Sequence, residues 1–207
     1  MVSEVQAVVF DVGRVIAQWD LRHLIGKLVD DPAEAEWVAA HVLTEAWHFQ
    51  HDAGRPLAPM IAERKAIFPR YAHVIDHYAA NFTDSIPGPV PGTATLIERL
   101  AAQGVPLFAI TNFGAEFWDQ FLPTEPVLAH MRDIVVSGRE RLVKPDPQIY
   151  RLAARRFGFA PQQMLFIDDN ANNIAGAAAL GWQVHHFGSD GGGAGELAAD
   201  LAARGLI

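Results

Sequence analysis

Residues 5–13 read Val5-Gln6-Ala7-Val8-Val9-Phe10-Asp11-Val12-Gly13. A short apolar run rich in β-branched residues, closed by a carboxylate and a glycine turn, predicts a buried strand over 5–10 that stops at Asp11. The same pattern recurs along the chain. Residues 106–110 (PLFAI) stop at Thr111-Asn112, and residues 164–167 (MLFI) stop at Asp168-Asp169. Residues 133–137 form a weaker run, and residues 182–187 form a fifth. Helical patterns fill 91–103, 147–157 and 171–180, and each is followed by a glycine: Gly104, Gly158 and Gly181. Glycine there suits the left-handed backbone of a helix C-terminus. Strands alternating with helices predict an α/β fold with a doubly wound parallel sheet, covered on both faces. Ligands of such sheets bind beyond the carboxyl ends of the strands. Asp11, Thr111, Asn112, Asp168 and Asp169 stand at those ends, so they are expected to share one rim despite their separation in sequence.

Residues 19–85 break the alternation. This stretch is helical in pattern, rich in aromatics and without a clear strand, and it closes in the turn-rich run Pro87-Gly88-Pro89-Val90-Pro91-Gly92. Asp31 before Pro32 reads as a helix cap with proline in the first turn. The stretch is therefore read as an α-helical cap, residues 17–87, inserted into a core made of residues 1–16 and 88–207. Trp19, Trp37, Trp118 and Trp182 are expected in the core or at the cap interface. Trp47, His48 and His51 lie at helical spacing and read as cap packing or surface. His185 and His186 are neighbours on a strand and face opposite sides, which argues against a shared metal role. Residues 189–195 (SDGGGAG) read as a flexible loop, followed by a short helix over 196–204. No internal repeat is present.

Composition narrows the function. Half of the 207 residues are hydrophobic and 19% are charged, which is globular and long enough for one core with an insertion. A net charge of −8 with no basic patch argues against nucleic acid and anionic membranes as partners, and is compatible with a bound divalent cation. There is no cysteine, so disulfides, thiolate catalysis and zinc–sulfur sites are excluded. The first residues carry neither a basic segment nor a cleavage pattern, and their apolar run is too short to span a bilayer. A cytoplasmic protein is the expectation.

Each polar motif has an ordinary reading when taken alone. Asp11 could close a turn, Asp168-Asp169 could be an acidic pair favoured at a helix start, Thr111 and Asn112 could be turn residues, and Lys144-Pro145 could be a surface dipeptide. Together they gain specificity. Phe10-Asp11-Val12-Gly13-Arg14-Val15, Thr111-Asn112, Lys144-Pro145 and Asp168-Asp169-Asn170, in this order and spacing, resemble the haloacid dehalogenase-like hydrolase superfamily. The resemblance covers most of the chain. The region of Trp118 and Pro123 and the run FIDDNANNIAGAAALG, residues 166–181, are similar to the small-cap phosphatases that include sugar-1-phosphate phosphatases.

The resemblance implies a Rossmann-like core, a Mg2+ cofactor and a small phosphorylated metabolite as substrate, with sugar phosphates among the candidates. It implies that Asp11 attacks phosphorus and that Asp11, the Gly13 carbonyl, Asp168 and Asp169 serve the metal. Thr111, Asn112 and Lys144 would bind phosphate, and Asn173 would support the metal shell or Lys144. Arg14 follows closely enough to reach a substrate anion. One departure stands out: the superfamily's phosphatases usually carry a second aspartate two residues after the nucleophile, as acid and base, where this chain has Gly13. Three readings stay open: a substrate with a good leaving group, such as an anomeric or acyl phosphate; help from another residue such as His48 or His51; or a weak catalyst. Haloacid dehalogenases also lack that aspartate, but that branch typically lacks the acidic pair retained here. Two adjacent carboxylates beside a third repel strongly without a cation. The resulting expectation is a magnesium-dependent phosphomonoester hydrolase. A 2-haloacid dehalogenase and a catalytically weak binding protein are the alternatives.

Overall fold

The computed structural model describes residues 4–188 and 193–207. Its centre is a five-stranded sheet in the order β3-β2-β1-β4-β5, with every pair parallel. The strands are β1 (Ala7–Phe10), β2 (Leu107–Thr111), β3 (Asp133–Val136), β4 (Met164–Asp168) and β5 (Gln183–His186). β1 holds the middle, and Val8 pairs with Leu107 on one side and Leu165 on the other. Alternation along β1 divides the core. Val8 and Phe10 join one apolar cluster, while Ala7 and Val9 join the second, on the opposite face.

The helices, in chain order, are α1 (Leu21–Ile25), α2 (Pro32–His41), α3 (Glu45–Asp52), α4 (Leu57–Ile67), α5 (Ala72–Ala80), α6 (Thr93–Ala102), α7 (Ala115–Phe121), α8 (Ser137–Glu140), α9 (Pro147–Phe157), α10 (Ala171–Ala178) and α11 (Gly193–Ala203). Leu96, Ile97 and Leu100 of α6 and Leu197 and Leu201 of α11 pack with Val8 and Phe10. Ile149, Tyr150 and Ala153 of α9 and Ala177 of α10 pack with Ala7 and Val9. The local signals act where the sequence placed them. Asp31 caps α2 by accepting the Glu34 N–H at 2.9 Å, with Pro32 in the first turn. Gly158 ends α9 at φ 77°, a left-handed conformation that glycine adopts without steric cost.

Helices α1 to α5 all lie between β1 and β2. The two chain segments entering and leaving them run side by side: the Gln18 N–H donates to Gly88 O at 2.8 Å and the Val90 N–H to Ile16 O at 2.8 Å. The buried side chains of these helices, among them Leu24, Val38, Met60, Val74 and Tyr78, are continuous with the cluster on one face of the sheet.

Several expectations need correction. β2 and β4 run one residue further than expected, so Thr111 and Asp168 are the last residues of their strands. Of the loop expected over 189–195, residues 189–192 lie outside the described residues, and Gly193 to Gly195 already belong to the first turn of α11. Trp37 is 42% exposed. Only Val38 of α2 is buried, and the Trp37 ring lies outside, stacked on His41 one turn later at 4.7 Å. His48 and His51 are both buried, as packing predicts and surface does not. Among the described residues no helix is long and apolar enough to cross a membrane.

Candidate active site

The parallel sheet brings the polar strand ends together. Asp11 follows β1, Thr111 ends β2, Asp168 ends β4, and Lys144 reaches them from the loop between α8 and α9. The Lys144 ammonium lies 2.8 Å from Asp11 Oδ1 and 2.7 Å from Asp168 Oδ2. All three side chains are buried, and so is Thr111. Asp11 Oδ1 also accepts the Val12 N–H at 2.6 Å. Its second oxygen, Oδ2, accepts no hydrogen bond from the described residues.

Two asparagines hold this arrangement. The Asn112 side chain clamps the Lys144 backbone: its Nδ2 donates to Lys144 O at 3.0 Å, and the Lys144 N–H donates to its Oδ1 at 2.9 Å. Asn173, one turn into α10, donates to both oxygens of Asp168 at 3.0 and 3.1 Å. Asp168 Oδ1 further accepts the Asn170 N–H at 2.8 Å. Asn173 therefore supports Asp168, one of the two roles the sequence left open for it. The Asn112 side chain serves the lysine loop, a role that its position after a strand did not reveal.

Oxygens of Asp11, Asp168 and Asp169 lie within 4.8 Å of one another. Among the described residues Lys144 is the single ammonium that touches this group, so the cluster carries an excess of negative charge when ionised. Burial pushes the Asp11 carboxyl above the usual carboxylate range; Lys144 pulls it down and Asp168 and Asp169 push it up again. Asp169 is also raised, by burial first and then by Asp168, with Arg14 pulling the other way. For Lys144, burial works against the ammonium, but the two carboxylates outweigh it and its pKa rises. A group of carboxylates in which buried Asp11 and half-buried Asp169 are both pushed up by burial and by Asp168, and which offers only oxygen donors, suits a hard divalent cation such as magnesium.

Gly13 sits in a tight turn where the Val12 carbonyl accepts the Ile16 and Ala17 N–H groups at 2.8 and 3.0 Å. A Cβ built on Gly13 meets nothing within 4 Å. Arg14 takes φ 62° and turns away toward α3, where it pairs with Glu45 at 2.9 Å and lies 5.0 Å above the Trp19 ring. It stands beside the cluster rather than inside it.

Helix α3 brings a second polar group close by. His48 is packed against Trp19, Phe82 and Phe117, its Nδ1 bonds the Tyr78 hydroxyl at 2.7 Å, and its Nε2 is 3.4 Å from Asp52 Oδ1. Burial pushes His48 down to about 3, so it is neutral at neutral pH. Burial pushes Asp52 up to about 7. Asp52 was not singled out by the sequence; its spacing four residues after His48, on one helix face, was the available signal. Core and α3 meet closely here: the Ser137 hydroxyl donates to Asp52 O at 2.6 Å, and a Cβ on Gly114 would come within 1.9 Å of the His51 ring.

Asp52 sets a testable pH dependence. Its folded pKa is raised, so between about 4 and about 7 the native state holds a proton that the unfolded state has released. Stability attributable to Asp52 therefore falls as pH rises through that window. Asp52→Asn is expected to gain stability over the wild type progressively from pH 4 to 7.5, by a few kcal/mol at the upper end. Thermal melts across this range check it; a difference that does not change with pH would show that Asp52 ionises freely.

A sequence model of the haloacid dehalogenase-like hydrolase family matches residues 5–181. The phosphoglycolate phosphatase of Escherichia coli K12 is 34% identical over 91 residues, covering 44% of this chain and 36% of that protein. The (S)-2-haloacid dehalogenase of Pseudomonas putida is 31% identical over 110 residues, covering 53% of this chain and 48% of that protein. The chain thus spans less than half the length of either relative. Among solved structures, a HAD family enzyme of Bacteroides thetaiotaomicron, in complex with magnesium and inorganic phosphate, aligns with TM-score 0.70 at 17% identity. That alignment covers 90% of this chain and 96% of the other, a likeness of fold. The family match over nearly all of the chain agrees with a parallel sheet whose strand ends gather Asp11, Thr111, Lys144 and Asp168, and the chain belongs to the haloacid dehalogenase-like hydrolases.

Proposed function

We propose that this hydrolase releases phosphate from a small phosphorylated metabolite through an aspartyl-phosphate intermediate. The observation that carries this reading is the cluster of buried Asp11 and Asp168 with half-buried Asp169, in which Lys144 bridges the first two. Such a cluster suits a divalent cation and a phosphoryl group, whereas displacement of halide needs neither. The similarity to a phosphoglycolate phosphatase supports it, as does the magnesium and phosphate bound to a protein of the same fold.

In this reading Asp11 attacks phosphorus through Oδ2, the oxygen left free, while Val12 N–H and Lys144 hold Oδ1 in place. The bond from phosphorus to the leaving oxygen breaks, and water then cleaves the acyl phosphate, returns Asp11 and releases phosphate. Lys144 and the Thr111 hydroxyl stabilise phosphate oxygens as charge develops. Asn112 keeps the lysine loop in register, and Asn173 keeps Asp168 aimed at the cluster. Asp11, the Gly13 carbonyl, Asp168 and Asp169 would hold magnesium, which supplies charge compensation between carboxylate and phosphate. Residues 17–87 act as the cap that excludes water, a reading supported by the paired segments at their root.

Dehalogenation is the second reading, favoured by Gly13 and by the similarity to a 2-haloacid dehalogenase. The two separate on one measurement. Phosphate release from phenyl phosphate and acetyl phosphate is expected with magnesium and is expected to vanish in excess chelator. Halide release from 2-chloropropionate that is indifferent to chelator, with no phosphate release, would sink the phosphatase reading.

A further inference from the structure

A cavity of about 60 Å³ lies between the inserted helices and the sheet. Val12 and Gly13, which directly follow Asp11, and Asn112 and Phe113, which directly follow Thr111, form one side. Trp19, His48, Asp52, Phe82 and Ile86 contribute to the other. The cavity thus lies beside the turns that directly follow Asp11 and Thr111, on the side where the inserted helices cover them.

Three properties limit what fits. The volume has room for roughly four or five water-sized groups, far short of a sugar ring. No lysine or arginine lines it, so nothing compensates an anionic group there, and burial keeps His48 neutral and raises Asp52. Two wall residues also carry buried polar atoms without a hydrogen-bond partner, Trp19 Nε1 and Asp52 Oδ1. The indole N–H can only donate, so it asks for an acceptor oxygen on the ligand. Gly13 adds a chemical limit, because the position offers no carboxyl group to protonate a departing oxygen.

We propose that this cavity is the leaving-group subsite and that the enzyme's substrates are acyl phosphates of short, uncharged carboxylic acids, of the size of acetyl or propionyl phosphate. The proposal rests on the phosphatase reading above. The carbonyl oxygen satisfies the Trp19 N–H, and the alkyl tail lies against Phe82, Ile86 and Phe113. Asp11 Oδ2 forms the new bond to phosphorus, and the bond from phosphorus to the acyl oxygen breaks. The carboxylate departs with the electron pair and needs no proton at neutral pH, and water returns Asp11 as before. The bond broken and the aspartyl-phosphate formed are both acyl phosphates, so the first step is close to balanced in energy.

The test uses matched leaving groups. Phosphate release is followed with magnesium for acetyl, propionyl, succinyl and benzoyl phosphate, with glucose 6-phosphate and phenyl phosphate as esters, and the Asp11→Asn rate is subtracted as background. Acetyl or propionyl phosphate is expected to exceed both the anionic succinyl and the bulky benzoyl phosphate in kcat/KM by about tenfold or more. Ile86→Ala, which enlarges the cavity, is expected to raise the ratio of benzoyl to propionyl phosphate by about tenfold. The wild-type panel decides even if the variant does not fold. Equal or better turnover of succinyl phosphate, benzoyl phosphate or the sugar phosphate would overturn the subsite while leaving the phosphatase reading intact. No enzymatic release from any compound would overturn both.

Discussion

Asp11→Asn is expected to lower phosphate release by about 10⁴- to 10⁶-fold, the scale on which removal of a covalent nucleophile is felt. The amide keeps the size of the side chain, and its oxygen still accepts the Val12 N–H that holds Asp11 at 2.6 Å. Lys144 keeps its second partner, Asp168, at 2.7 Å. The variant is therefore expected to fold, with a melting temperature within a few degrees of the wild type, and to fail because a neutral amide does not attack phosphorus. Halide displacement would use the same carboxylate, so the variant tests the nucleophile and metal dependence tests which bond is broken. A folded Asp11→Asn protein with retained turnover would remove Asp11 from the mechanism and the whole cluster with it.

Gly13→Asp is expected to act in the opposite direction. General acid–base help is typically worth roughly 10²–10⁴ in rate, and this is the position where related phosphatases carry the group that gives it. A Cβ there meets nothing within 4 Å, and Gly13 is not among the residues with positive φ, so the backbone accepts a side chain at this position without strain. The gain is expected for small esters whose leaving oxygen needs a proton, such as ethyl phosphate, and to be small for acyl phosphates, whose carboxylate leaves unaided. The new carboxylate adds negative charge to a crowded cluster, so the gain is expected only with magnesium present. Initial rates for esters and acyl phosphates, with the pH–rate profile of the esters, check it. An equal change for both classes would mean that proton transfer is not what Gly13 limits.

The core was readable because its signals are local. Apolar runs that stop at Asp11, Thr111 and Asp168 mark strands buried on both faces, and the glycines after the helices mark their ends within a few residues. The gathering of Asp11, Thr111 and Asp168 at one rim followed, since a parallel sheet brings its strand ends together. What the sequence hid depends on partners far away. The Asn112 side chain clamps a loop 32 residues later, and spacing gives no hint of that pairing. Asp52 looks like a surface residue beside two histidines until the sheet closes over α3. Trp37 misleads in the other direction, since α2 buries little more than Val38 and leaves the indole stacked on its own helix. The start of α11 was missed because glycines were read as loop, where a helix docked by Leu197 and Leu201 overrides their weak propensity.

The central place of β1 bears on how the chain is made. Its four residues come before their neighbours on either side, β2 about a hundred residues later and β4 more than a hundred and fifty later. An emerging chain therefore carries a wholly apolar strand without both its partners until β2 and β4 have left the ribosome, and the loops to be closed are long. During that interval the helix pairs α1–α2 and α4–α5, whose contacts are near in sequence, are free to form, whereas α3 awaits α8. Asp11 therefore reaches its buried place beside Asp168 only once β4 docks, and until then the strand that carries it is an apolar segment open to misassociation.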